Sequence, residues 1–176
     1  PILSGEYTHS VQLDPIAMQD AIKTYIGTNN NRYFEDRKSN GSHGYSNRSF
    51  PNTGISIYLT VTYYDDYNFK TYTNNGFDNT LDFVANSLIA YNDQDGTTDG
   101  YFSRVKGQVT GSKTKVLGEN KWLVSTSYYD DRYRPIQTVS QNILEGVDRV
   151  SMQYDFVGKV LKEEHLQTTS AGSLKI

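Results

Sequence analysis

The dipeptide Tyr-Asp closes a run of β-branched and aromatic residues at several points of this chain, and that recurrence most constrains its fold. The three copies are Tyr64-Asp65, Tyr129-Asp130 and Tyr154-Asp155. They lie in segments 58–72, 122–140 and 148–165, where turn-forming residues and a second strand-like run follow each copy. An internal repeat indicates architecture more strongly than any single residue does.

Each copy has the sequence pattern of a β-hairpin. Residues 60–64 and 124–128 alternate β-branched or aromatic residues with polar ones, which is typical of a half-buried strand. Aspartate favours turns because its carboxylate accepts hydrogen bonds from main-chain N–H groups a little further along the chain. Gly158, in the third copy, can adopt a positive φ. We therefore interpret the motif aspartates as turn-forming rather than catalytic residues.

The motif resembles that of the YD-repeat, or Rhs-repeat, proteins of bacteria. Their unit is Tyr-Asp, two variable residues, Gly-Arg and a hydrophobic strand start. Residues 154–160, YDFVGKV, match it with Lys159 in place of arginine, whereas the second copy keeps Arg134 but has Tyr133 where glycine is expected. The first copy has neither, and residues 1–5 look like the strand that follows such a turn. Residues 107–138 are similar to secreted, multi-repeat members of the family.

The resemblance implies a fold class that is mainly β with one or two short helices. Antiparallel hairpin repeats would form part of an extended, coiling sheet, with tyrosines stacking between hairpins and the Asp and Arg or Lys residues holding the turns. It also implies a large secreted or cell-surface protein whose sheet scaffolds or encloses a C-terminal effector or toxin domain. The partners would then be neighbouring repeats and that effector, in the same polypeptide. No catalytic residue and no cofactor is expected.

The repeat pattern predicts a division of the chain into segments of one structural unit. Residues 1–13 would be a partial repeat strand, and 58–73 a degenerate Tyr-Asp hairpin. Residues 14–57 would form an inserted helix and polar loop, and 74–106 a second insertion. Two hairpins of the repeat would follow over 107–176.

Helical patterns are confined to the predicted insertions. Residues 14–27 combine Asp14 as an N-cap, a proline at the first helical position and Gly27 as a stop. Their apolar stripe predicts a helix that packs on a sheet. Residues 79–90 carry apolar side chains on one side and predict a second helix, with a strand as the alternative.

Composition excludes several classes of function. The net charge of −3 leaves no basic face for nucleic acid. No stretch has the roughly 20 apolar residues of a membrane span. The absence of cysteine excludes disulfides, zinc–thiolate sites and cysteine nucleophiles. The 15 tyrosines, against seven phenylalanines and one tryptophan, suit a sheet with one packed and one wet face.

Two groups of residues are weak candidates for ligand binding. The acidic loop with Asp93, Asp95 and Asp99 offers oxygen ligands for Ca²⁺, although its glycine offset is not that of an EF-hand. Trp122 is either a core residue or a platform for stacking on a sugar, and Tyr128 lies on the same predicted strand. The alternative function is therefore a carbohydrate-binding or adhesin-like module that uses exposed tyrosine and tryptophan to bind glycans.

Overall fold

The chain folds mainly into one antiparallel β-sheet. A computed structural model describes residues 2–9, 11–28, 33–41, 43–89 and 100–175. Eight strands follow one another in chain order across the sheet. They are β1 (Leu3–Tyr7), β2 (Ile55–Tyr64), β3 (Val109–Lys115), β4 (Trp122–Tyr129), β5 (Pro135–Gln141), β6 (Val147–Tyr154), β7 (Val160–Thr169) and β8 (Gly172–Lys175). The predicted mainly β class with antiparallel hairpins is confirmed.

The described residues contain a single α-helix, α1, which spans Pro15–Thr28. The Asp14 carboxylate accepts a hydrogen bond of 2.8 Å from the Ala17 N–H group, as an N-cap should. The helix continues one residue beyond Gly27. None of its side chains is fully buried: Ile16 is 73% exposed, whereas Met18, Ile22, Tyr25 and Ile26 are half-buried, so the predicted apolar stripe is partly covered.

The helix predicted for residues 79–90 does not form in the part that the structure describes. A short 3-10 helix, Asn79–Leu81, is followed by irregular chain to Ile89. The N–H and C=O groups of Val84 both bond to the Gln137 side-chain amide, at 2.9 Å each. Contacts with a neighbouring strand thus replace the hydrogen bonds that a helix would have made.

The second strand predicted for residues 58–73 is also absent. The chain leaves β2 at Tyr64 and forms a 3-10 helix over Asn68–Thr71. The Asp66 carboxylate accepts a bond of 2.9 Å from the Asn68 N–H group at the start of that helix. Among the described residues, the next strand after β2 is β3, which begins at Val109.

The chain divides into two compact units. The first comprises Pro1–Val61 and Thr71–Asn75. Within it, the Glu35 carboxylate accepts bonds from the Ser46 hydroxyl at 2.5 Å and the Ser49 N–H group at 2.8 Å. Burial opposes ionisation of Glu35, but these hydrogen bonds outweigh it and lower the pKa of Glu35. This carboxylate therefore organises the irregular segment between α1 and β2.

The second unit comprises Thr62–Lys70 and Gly76–Ile176, and it contains the core of the repeats. Its apolar cluster consists of Leu81, Ile89, Val124, Tyr128, Ile136 and Val139. Tyr67 stacks on Tyr128 with 5.3 Å between ring centroids, and Tyr101 lies 4.7 Å from the same ring. Side chains between β2 and β3 thus cover one face of β4 and β5.

A buried polar network joins this covering segment to the sheet. Besides Val84, the Gln137 side chain contacts the Ser151 hydroxyl at 3.0 Å. The Arg149 guanidinium donates to Gln137 Oε1 at 2.6 Å and to the Asp82 carbonyl at 2.7 Å. Buried polar side chains need hydrogen-bond partners. The buried Gln137 side chain finds them both in the covering segment, at Val84, and on the neighbouring strand, at Ser151.

The close approach of Phe69 to β3 provides a test of this packing. A Cβ atom on Gly111 would lie 2.5 Å from Cζ of the fully buried Phe69 ring. We expect Gly111→Ala to lower the free energy of unfolding by about 1–3 kcal/mol, measured by urea denaturation. Gly27→Ala is the control, because its added methyl group meets no atom within 4 Å. Equal stabilities of Gly111→Ala and wild type would contradict the packing.

Candidate functional site

The second and third Tyr-Asp copies form the same turn at two successive hairpins. The Asp130 N–H group donates to the Arg134 carbonyl at 3.0 Å, and the Asp155 N–H group donates to the Lys159 carbonyl at 2.9 Å. In each turn one carboxylate oxygen accepts from the N–H groups two and four residues later, at 2.9 to 3.0 Å. The two aspartates thus supply equivalent acceptors inside equivalent turns.

Tyr133 occupies the position of the expected glycine. Its φ is 60°, and the φ of Gly158 at the same position of the next turn is 93°. Both residues therefore lie in the left-handed region, where glycine carries no steric cost and an L-residue does. The Tyr133 ring meets Phe102 edge to face at 6.0 Å.

The first copy keeps one main-chain hydrogen bond of these turns across an insertion, although Asp65 itself has a φ of 76°. The Asp65 N–H group donates to the Gln108 carbonyl at 3.1 Å, as Asp130 does to Arg134. Gly107 has a φ of 85°, and its N–H group donates to the Asp65 carboxylate at 2.7 Å. Gly107-Gln108-Val109 is therefore the counterpart of Gly158-Lys159-Val160, with residues 66–106 inserted between the two halves of the turn.

The tyrosines of the motif link each repeat to the one before it. Tyr129 donates its hydroxyl hydrogen to the Val109 carbonyl at 2.6 Å, and Tyr154 donates to the Pro135 carbonyl at 2.9 Å. Val109 and Pro135 are equivalent residues, because each begins the strand that follows a Tyr-Asp turn. Burial raises the pKa of Tyr129 and of Tyr154, so both hydroxyls remain donors at neutral pH.

Arg134 makes a second link between successive turns. Its Nε donates to the Asp130 carboxylate at 2.6 Å, and its Nη1 donates to the Asp155 carbonyl at 2.7 Å. Its guanidinium carbon also lies 4.9 Å from the centre of the Tyr154 ring. Tyr154 thus contacts the preceding repeat through its hydroxyl group and through the cation that lies over its ring.

No family model, curated protein or solved structure matches this chain.

A related turn, which the sequence analysis missed, joins β5 to β6 at the opposite end of these strands from the Tyr-Asp turns. Asn142 Oδ1 accepts from the N–H groups of Leu144 and Gly146, at 3.1 and 2.9 Å. The Asn142 N–H group donates to the Gly146 carbonyl at 2.9 Å, and Glu145 has a φ of 59°. The signal was an asparagine five residues before the start of β6 at Val147, the same spacing as in the Tyr-Asp turns but without the preceding tyrosine.

The two residues that were candidates for ligand binding are both engaged within the protein. Tyr128 is fully buried, and its hydroxyl donates to the Leu81 carbonyl at 2.6 Å while accepting from Lys70 Nζ at 2.8 Å. A ligand therefore has no access to it. Trp122 is half-buried, and the Lys113 and Lys115 amino groups lie 5.2 and 5.6 Å from its ring centre.

The remaining candidates concern metal ions and membranes. The acidic loop with Asp93, Asp95 and Asp99 lies outside the described residues. Within the described ranges, no three or more acidic, histidine or cysteine side chains are grouped so that they could hold a metal ion. No helix in those ranges has the length and apolar content to cross a membrane.

The carboxylate acceptor of the turn can be tested at Asp155. We expect Asp155→Ala to destabilise the protein by about 1 kcal/mol, because two main-chain N–H groups lose their acceptor. Asp155→Asn is the matched control, since Asn142 accepts the same pair of bonds with its amide oxygen. Urea denaturation should therefore place Asp155→Asn near wild type. Equal losses for both variants would show that the charge, rather than the oxygen, stabilises the turn.

The equivalence of Tyr133 and Gly158 can be tested by a substitution at each position. We expect Gly158→Ala to cost about 1–2 kcal/mol, because it places a Cβ atom in the left-handed region. Tyr133→Gly should stay within about 0.5 kcal/mol of wild type, because relief of that strain offsets the larger chain entropy of glycine. Calorimetry measures both changes. A loss above about 1 kcal/mol for Tyr133→Gly would contradict the equivalence.

Proposed function

We propose that this chain is a non-enzymatic structural segment of a YD-repeat β-shell. The shell would belong to a large secreted or cell-surface protein, and it would scaffold or enclose a C-terminal effector or toxin domain. The chain's partners would then be neighbouring repeats and that effector, within the same polypeptide.

The observation that carries the proposal is the recurrence of one bond between successive repeats. Tyr129 and Tyr154 donate to equivalent carbonyls although residues 66–106 interrupt the first repeat. A contact that survives an insertion of that size is a property of the repeat unit, and in repeat proteins stability comes from such nearest-neighbour contacts. This supports a role in building an extended sheet.

The chemistry of the motif residues also supports a structural role. The Asp130 carboxylate accepts two main-chain bonds and one from Arg134, so its oxygens are engaged in holding the turn. Asp155 accepts two main-chain bonds in the same way. The motif is therefore explained by folding alone, without an acid–base pair.

The carbohydrate-binding alternative has less support. It needs aromatic faces that are free to stack on sugars. Tyr128 is fully buried, Tyr129 is 8% exposed, and two lysine amino groups lie over the Trp122 ring. Glycan binding stays a prediction, and an array with signals that Trp122→Ala abolishes would favour it.

The proposal is tested on the full polypeptide that contains this chain. We expect further Tyr-Asp units and an unrelated C-terminal domain that resists protease while the repeats are intact. Tyr129→Phe with Tyr154→Phe removes both hydroxyl bonds, at roughly 1 kcal/mol each. Cleavage of the C-terminal domain should then accelerate about 5- to 30-fold.

Tyr33→Phe is the control for this experiment, because Tyr33 is 80% exposed. It should leave the cleavage rate unchanged. A polypeptide without further Tyr-Asp units, or a C-terminal domain that protease removes at the same rate in every variant, would contradict the shell.

A further inference from the structure

A small cavity lies within the first unit, where β1, β2 and the segment between α1 and β2 meet. Its volume is about 150 Å³. Pockets for drug-sized ligands measure about 300–1,000 Å³, so this cavity suits a group of only a few non-hydrogen atoms. Its lining includes three aromatic side chains, Tyr7, Phe50 and Tyr58, and the apolar Leu3 and Ile55. These side chains favour an occupant with an apolar surface.

Two carboxylates give the cavity a negative charge. Glu35 and the exposed Glu6 line it, and no lysine, arginine or histidine of the described residues does. None of the ion pairs in the described ranges includes Glu35. The Arg48 guanidinium donates instead to the Asp36 carboxylate, at 2.8 Å. Within those ranges, the charge of Glu35 is therefore balanced by neutral donors alone.

The hydrogen bonds of Glu35 occupy its lone pairs but do not cancel its charge. Besides the Ser46 hydroxyl and the Ser49 N–H group, the Ser49 hydroxyl and the Arg48 N–H group donate to this carboxylate. A carboxylate has about four lone-pair sites, and these donors fill them. The same bonds lower the pKa of Glu35, so it is ionised at neutral pH. A cation held beside it must be attracted without donating a hydrogen bond.

Tyr58 brings an aromatic ring close to this charge. Its hydroxyl donates to Asn47 Oδ1 at 3.2 Å, and its ring centroid lies 4.7 Å from that of His43. Burial, together with the negative charge of Glu35, raises the pKa of Tyr58. Aromatic faces attract cations most strongly when the cation has lost its water. The ring of Tyr58 and the charge of Glu35 thus favour the same kind of occupant.

We propose that this cavity binds a quaternary ammonium group. Its positive charge is attracted by Glu35 and by the aromatic rings, and its methyl groups contact the apolar lining. A primary ammonium group would lose hydrogen bonds to water that the occupied oxygens of Glu35 cannot replace. The group belongs to a soluble amine or to a lipid headgroup, which present the same chemistry. This inference goes beyond the proposed function, because the cavity lies outside the Tyr-Asp turns.

Choline and its neutral isostere dimethylbutanol, in which carbon replaces the charged nitrogen, provide the test. Both would be titrated into the full chain while the amide NMR signals are followed. We expect choline to shift the signals of residues 47–50 and 55–58, and to bind about 2- to 30-fold more tightly than the alcohol. Ethanolamine, which carries N–H donors in place of the methyl groups, should bind more weakly than choline.

Substitutions at Tyr58 separate the aromatic ring from its hydroxyl. Tyr58→Leu should weaken choline several-fold and leave the affinity for the alcohol nearly unchanged, because an apolar side chain replaces an aromatic face. Tyr58→Phe keeps the ring and should bind choline as the wild type does. Tyr33→Leu is the control for loss of a tyrosine elsewhere, because Tyr33 is 80% exposed and does not line the cavity. All three variants keep Glu35 and its hydrogen bonds, so they are expected to fold.

Sedimentation with phosphatidylcholine vesicles distinguishes the two sources of the group. Chain that sediments with the vesicles identifies a lipid headgroup, whereas binding of choline alone identifies a soluble amine.

Equal affinities for choline and the alcohol, tighter binding of ethanolamine, or unchanged choline binding by Tyr58→Leu would each overturn the inference. The shell proposal does not depend on the result, because the lining residues all precede the first Tyr-Asp copy.

Discussion

The hydrogen bond from a motif tyrosine to the strand-start carbonyl of the preceding repeat is the contact on which the sheet depends. Turns join the neighbouring strands from β3 to β8 and set the register between them. Tyr129 and Tyr154 add a further constraint at the strand ends away from the β3–β4 and β5–β6 turns, because their hydroxyls reach the carbonyl only when the strands are aligned. Burial keeps both hydroxyls protonated, so the constraint persists across neutral pH.

The first repeat accommodates an insertion inside its turn because the two ends of the inserted segment lie close together. A longer loop adds little closure entropy, so residues 66–106 cost less than their length suggests, provided that the two ends still meet. They meet where Asp65 contacts Gly107 and Gln108. The inserted residues then repay their ordering by burying Leu81 and Phe69 against the sheet. The two halves of the turn therefore meet although they are far apart in sequence.

Local signals in the sequence predicted part of this structure. The alternation over residues 60–64 and 124–128 predicted the strands β2 and β4, and Asp14 predicted the start of α1, because each depends on neighbouring residues. The second half of the first repeat was missed because Gly107 lies far from Asp65 in the chain. Residues 79–90 were predicted to be helical, with a strand as the alternative, from the spacing of their apolar residues. Gln137 instead bonds to the main chain of Val84, and no local pattern reveals a hydrogen-bond partner so distant in sequence.

The turns also show which residue of the motif the geometry requires. The third residue after the motif Asp or Asn is Tyr133, Gly158 or Glu145, and all three have a positive φ. The motif Asp or Asn itself is the first residue of each turn: Asp130, Asp155 or Asn142. One side-chain oxygen of each accepts hydrogen bonds from the N–H groups two and four residues later. Glycine only lowers the steric cost of the turn, whereas the oxygen satisfies two donors that the turn creates. All three turns keep a side-chain oxygen at the first position, from aspartate or asparagine, whereas the position with a positive φ holds tyrosine, glycine or glutamate.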